Sequence, residues 1–147
     1  MRLIGIAIKP ARRGPMELRS TVHVSAEAGL TGDCRGGGRS KKRQITILSH
    51  EGWSAACKDI GFDLAWHVRR ANLYVSEEIF GPSCVGQRLV INDVVLEITG
   101  ETIPCDRMDA IYLGLRAALV PEWRGGLTAR VYRGGYLTLG DAGLLLP

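Results

Sequence analysis

Aromatic side chains are scarce, 6% of the 147 residues, and the chain has only two phenylalanines. None is interleaved with the one strongly basic stretch, Gly32 to Arg43. Single-stranded nucleic acid is held by bases stacking on aromatic rings, so a nucleic-acid-binding barrel is the least favoured class despite the chain's basic charge. No apolar run reaches the length needed to span a membrane. The N-terminus, Met1-Arg2-Leu3-Ile4-Gly5-Ile6-Ala7-Ile8, is basic then apolar like a secretory leader. Lys9-Pro10 stops that run without a small-residue cleavage site, which favours a buried first strand and a cytoplasmic protein. The three histidines, His23, His50 and His67, lack the spacing of a metal-binding helix. The four cysteines, Cys34, Cys57, Cys84 and Cys105, stand more than twenty residues apart. No zinc knuckle or C-x-x-C pair is possible among them. In a reducing compartment they are free thiols, with one or two chemically special and the rest packing as small apolar residues.

Apolar residues make up 46% and charged residues 23% of the chain, the composition of a globular protein. The length fits one domain, 1–147, large enough for a core without metal or disulfide staples. There is no internal repeat or linker. The formal charge of +4 suits an anionic partner, and equally an ordinary solvated surface.

Strands are expected at Leu3 to Ile8, Thr21 to Val24, Gln44 to Leu48 and Asn72 to Val75. Two hairpins are expected, Gln87–Ile91 with Val94–Thr99 around Asn92-Asp93, and Thr128–Arg133 with Tyr136–Leu139 around Gly134-Gly135. Ser49 is placed to cap a helix carrying Trp53, Ala56, Cys57 and Ile60 and closed by Gly61. Met108, Ile111, Tyr112, Leu115 and Leu119 predict a second helix from Asp106 to Leu119. Cys57 lies on an apolar helix face, and Cys84 falls in a loop after Gly81-Pro82. The glycine-dense stretch from Ala28 to Arg39 reads as irregular loop, made basic by Arg35, Arg39, Lys41, Lys42 and Arg43. The fold class expected is α+β, mostly β, with seven or eight strands, two moderate helices and a barrel-like core.

Four segments, in this order, resemble the MOSC family, named for the C-terminal domain of molybdenum cofactor sulfurases. They are Gly29-Leu30-Thr31-Gly32-Asp33 with Arg43-Gln44-Ile45-Thr46; Arg69-Arg70-Ala71-Asn72-Leu73-Tyr74-Val75; Val85-Gly86-Gln87-Arg88-Leu89 leading into Val94 to Thr99; and Thr102-Ile103-Pro104-Cys105 followed by Gly125 to Val131. The resemblance implies a barrel-like fold, a molybdopterin-type molybdenum cofactor, and Cys105 as the residue that ligates molybdenum or carries sulfur. It assigns Arg70 and Asn72 to holding the cofactor and extends the candidate set to Asp33, Arg35, Arg43 and Thr102. Family members often carry histidine where this chain has Arg35. The length leaves no room for the pyridoxal-phosphate domain of full sulfurases, so an external sulfur donor or electron-donor protein is expected.

Chemistry supports some of these assignments. Cys105 follows Pro104 and precedes the expected helix, where free amides and neighbouring arginine favour thiolate while Asp106 opposes it. Thiolate is a soft ligand suited to molybdenum or sulfane sulfur. The glycine/basic loop offers backbone amides and cations to a phosphate, although it is not a P-loop. Cys34, flanked by Arg35, is a minor candidate for a second thiol. Arg130 and Arg133, three apart on a strand, face opposite ways, so at most one can reach a shared site. Three readings result: a cofactor-dependent protein that reduces N-hydroxylated compounds, a persulfide relay delivering sulfur to a metalloenzyme, and, last, the nucleic-acid-binding barrel.

Overall fold

A computed structural model describes residues 1–38 and 40–147. Most of the chain forms one curled sheet of eight strands, and a three-stranded sheet packs beside it. In chain order the strands are β1 Arg2–Ile8, β2 Glu17–Arg19, β3 Thr21–Ser25, β4 Gly29–Leu30, β5 Ile45–Ser49, β6 Leu73–Ser76, β7 Arg88–Ile91, β8 Val94–Glu101, β9 Leu127–Arg133, β10 Gly135–Thr138 and β11 Gly143–Leu146. The large sheet runs β11-β7-β8-β9-β5-β6-β1-β2 and the small one β10-β3-β4. β8 carries two register shifts, after Val95 and after Ile98, and such bulges bend a strand. The curl brings the last strand back to the first. Arg2 bridges Ala142, and Leu3 N donates to Asp141 O at 2.9 Å. This joining makes the domain barrel-like, mostly β with few helices.

The barrel interior is aliphatic. Leu3, Ile6, Ile45, Ile47, Leu73, Leu89, Ile91, Leu96 and Ile98 are buried there. Alternate residues of each strand supply this layer, because side chains on a strand point to opposite faces. The helix α1, His50–Ile60, is bounded as its sequence predicts. Ser49 Oγ accepts from Gly52 N at 3.0 Å, and Gly61 ends it at φ 71°. Trp53, Ala56 and Cys57 bury its inner face against Leu48, Tyr74, Leu115 and Leu119, forming a second core outside the barrel. Because α1 connects β5 to β6, those strands pair in parallel.

Four expectations are corrected. The helix over 106–119 is two five-residue pieces, α2 Arg107–Ile111 and α3 Leu115–Leu119. Tyr112 is extended and Gly114 lies at φ 94° between them. Asp109 turns the chain here: its Oδ1 accepts from Gly114 N and Arg116 N. Asp106 gives α2 no side-chain cap and instead pairs with Arg116. The last hairpin is also absent. β10 pairs with β3 in the other sheet, while β9 lies between β8 and β5. Gly134 permits that departure, since a Cβ there would stand 2.3 Å from Val24 O. Cys84 lies in the connection between β6 and β7 as expected, at the end of a 3-10 turn, but is buried in the barrel core rather than incidental. Within the glycine-dense stretch, Gly29–Leu30 forms a short strand on β3.

Candidate functional site

Sheet register assembles the site. Leu73, Ile47, Leu127 and Glu101 form one row across β6, β5, β9 and β8. The chain preceding β6 and the chain following β8 leave the sheet at this row. That places Arg69, Arg70 and Ala71 opposite Thr102, Ile103 and Cys105, residues more than thirty apart in sequence. They line a cleft of about 560 Å³ whose other walls come from Cys34, Arg35, Gly38, Ser40 and Arg43 of the glycine/basic loop and from Arg107 and Met108 of α2.

Arg69 forms the wall. It ends a 3-10 turn, Trp66–Arg69, and is 8% exposed. Its Nη2 donates to Thr102 O at 3.0 Å. Gly125 leaves room for that bond: a Cβ there would lie 2.4 Å from Thr102 O and 3.3 Å from Arg69 Nη2. Burial lowers the Arg69 pKa to about 10; Arg35 and Arg43 add to the effect, and Cys105 works against it. Arg69 Nε and Thr102 Oγ1 are both buried without a hydrogen-bond partner. Native proteins rarely leave buried polar atoms unpaired, because each costs about 1–3 kcal/mol. Both atoms belong to residues that line this cleft.

Cys105 is an exposed, free thiol at the cleft. The helix after it has only five residues, so its dipole offers far less to a thiolate than the sequence suggested. The cationic environment comes from Arg69, Arg70, Arg35, Arg43 and Arg107 instead. Arg70 adopts φ 66° as it closes the 3-10 turn, a conformation non-glycine residues rarely take. Cys34, exposed and free, lines the same cleft, while Cys57 and Cys84 are buried. Burial raises the Cys57 pKa.

Of the residues singled out in the sequence, Cys105, Arg70, Thr102, Arg43 and Arg35 come together here. Asn72 and Asp33 lie beneath the cleft, outside its lining. Asn72 is buried. Its Oδ1 accepts from Thr46 N and Oγ1, and its Nδ2 donates to Ala7 O and Asp33 Oδ1. These four bonds use its whole side-chain capacity. Asp33 accepts from Lys9 N at 2.7 Å and from Arg35 N at 3.3 Å. The two residues therefore tie β1, β5, β6 and the loop to one another. Gln44 fixes the loop from its other end, donating to Ala26 O and Gly36 O and accepting from Val131 N. The basic loop expected at the cleft rim also contains Arg39, which lies outside the described residues. Arg130 and Arg133 turn elsewhere, to Glu97 and to Asp93 O.

A second cleft of about 900 Å³ adjoins the first and shares Cys34, Arg35, Arg70, Arg107 and Met108 with it. Lys9, Arg12 and Arg13 line it, all from the connection after β1. With Pro10, Gly14 and Pro15, residues 9–16 read in sequence as a turn-rich connection. The available signal was three cations directly after a buried strand. Among the described residues eight of the 19 Lys and Arg line the two clefts, and none of the 15 Asp and Glu does. The chain's small net charge thus hides a strongly cationic face.

The MOSC domain family model matches residues 22–143. No curated protein matches the sequence. Among solved structures the fold resembles the YuaD protein of Bacillus subtilis, with TM-score 0.73 and 20% identity over 95% of this chain and 92% of that one. It also resembles YiiM from Geobacillus stearothermophilus, with TM-score 0.77 and 15% identity over 99% and 75% of the two chains. YiiM from Escherichia coli gives TM-score 0.75 and 12% identity over 100% and 70%. At such identities the likeness concerns the fold.

Proposed function

This chain belongs to the MOSC domain family, a family associated with the molybdenum cofactor, and we propose that its arginine-lined cleft holds a molybdopterin-type cofactor through Cys105. The carrying observation is the pair of orphaned buried polar atoms, Arg69 Nε and Thr102 Oγ1, in a cleft lined by arginines and an exposed thiol. The donor set fits such a group. The Cys105 thiolate is a soft ligand for molybdenum. Arg43 and Arg35 supply charge for a phosphate, and Arg69 and Thr102 offer a donor and a hydroxyl to a polar heterocycle edge. Asn72 and Asp33 act one layer down, as positioning residues that hold Arg35 and the loop in place. When bound, the cofactor supplies the redox chemistry, which in this reading is reduction of N-hydroxylated compounds. The chain orients the cofactor and neutralises its charge, while an electron-donor protein supplies reducing equivalents.

The second reading is a sulfur relay, in which Cys105 carries a persulfide received from a donor protein. The exposure of Cys105, with Cys34 beside it in the same cleft, favours this reading. One preparation distinguishes the two. The protein is purified from a host that makes molybdopterin, then assayed for molybdenum, released pterin and persulfide sulfur. The cofactor reading expects molybdenum near stoichiometry, lost in Cys105→Ser. The relay expects persulfide without molybdenum. Equal loading of Cys105→Ser and the natural protein refutes both. A cleft without aromatic lining among the described residues gives nucleic acid no stacking platform.

A further inference from the structure

The first cleft accounts for one anionic group, whereas the cationic face continues past it. Lys9 is 4% exposed, yet its ammonium makes no hydrogen bond or ion pair among the described residues. Burial lowers its pKa, and Arg70, Arg35 and Arg107 add to that effect. Cations gathered on one cleft repel one another, and an anion bound among them relieves that repulsion. Asp33 meets Lys9 through the backbone N, and also accepts from Asn72 Nδ2 and Arg35 N. Arg12 and Arg13 are exposed on the same cleft, again without a carboxylate partner among the described residues. Beside Arg107, α2 also gives the cleft the uncharged side chains of Met108, Ala110 and Ile111. A chamber that combines many cations with some apolar lining suits a phosphate bearing a flat ring.

Resting on the cofactor reading of the first cleft, we propose that the second cleft binds a nucleoside phosphate, with a pyrophosphate bridge lying at the shared Arg35, Arg70 and Arg107. Diphosphate offers two adjacent sets of acceptor oxygens, which arginine forks engage in pairs. The nucleoside lies in the second cleft against Met108 and Ile111. The same chemistry could reach the cleft as the nucleotide arm of an extended cofactor or as a free nucleotide.

The test uses cofactor-free protein from a host unable to make the pterin. Orthophosphate, pyrophosphate and adenosine, cytidine and guanosine 5′-diphosphates are titrated by calorimetry. The proposal expects nucleoside diphosphate to bind about tenfold or more tighter than orthophosphate and tighter than pyrophosphate; pyrophosphate binding as tightly as the nucleoside diphosphates overturns the nucleoside contact. Arg12→Ala/Arg13→Ala should erase that margin without lowering the melting temperature, whereas Arg19→Ala/Lys58→Ala, with the same charge change elsewhere, should keep it. Protein from a cofactor-competent host is then treated with acid and assayed for released nucleotide against molybdenum. Matched amounts identify an extended cofactor. A diphosphate margin with no molybdenum leaves a free-nucleotide site and defeats the cofactor reading. No margin over orthophosphate, or a margin untouched by Arg12→Ala/Arg13→Ala, overturns the proposal even where molybdenum is present.

Discussion

Replacing Arg69 by methionine should make the ligand-free protein more stable while removing its ligand. The side chain is buried, and its pKa is lowered to about 10, chiefly through desolvation. That fall corresponds to about 3 kcal/mol against the charged form. Because the folded pKa is the lower one, the penalty is fully present below about pH 10. It shrinks as pH rises above 10, where the folded guanidinium releases its proton before the unfolded one does. Methionine follows the path of the arginine stem without a charge. Against this gain stands the lost bond to Thr102 O, worth about 1 kcal/mol. The net is about 2 kcal/mol in favour of Arg69→Met, or about 4–8 °C in melting temperature for a chain of this size. Calorimetry at pH 7 on cofactor-free protein measures it. The same variant should lose the stabilisation that pyrophosphate or cofactor gives the natural protein. A melting temperature several degrees below that of the natural protein would show that Arg69 is a structural strut and that its buried charge is not held in wait for a ligand.

Thiol alkylation at neutral pH should modify Cys34 and Cys105 quickly and leave Cys57 and Cys84 protected until unfolding, read by peptide mass spectrometry; early modification of Cys84 would contradict its core position. Asn72→Ala unpairs Thr46 N, Ala7 O and Asp33 Oδ1 and should cost about 3 kcal/mol in urea unfolding. A melting point unchanged in that variant would return Asn72 to the list of direct ligand contacts. Tyr74 is buried and its pKa is raised to about 12, so the unfolded phenol ionises first. Its contribution is therefore complete below pH 10 and lost as pH rises through 12. Tyr74→Phe should forfeit about 1 kcal/mol at pH 7 with the bond to His50 Nδ1 and flatten the alkaline fall in stability, measured by unfolding at pH 8 and 11.

Local signals in the chain settled the elements that depend on neighbours alone. Ser49 and Gly61 bound α1 as expected, because capping needs only a side-chain oxygen at one end and a left-handed residue at the other. Asn92, at φ 52°, turns the β7–β8 hairpin where the sequence put it. The ordered set of segments around Arg70, Asn72 and Cys105 gave the family. Partnership between distant segments was decided only by the tertiary structure. Apolar periodicity from Met108 to Leu119 reads as one helix, yet Asp109 and Gly114 break it into two. Gly134-Gly135 reads as a hairpin turn, but β10 finds β3, because pairing energy depends on a strand over a hundred residues away. The same holds for the site. Cys105 and Arg70 could be picked out singly, but the register of β6, β5, β9 and β8 put them in one cleft. Asn72 looks like a ligand contact in sequence, and in the fold its side chain bonds Thr46, Ala7 and Asp33. The cations after β1 sit in what reads as a turn-rich connection and line a second cleft. Charge acts through space, and a chain read in one dimension does not say which of its charges will be neighbours.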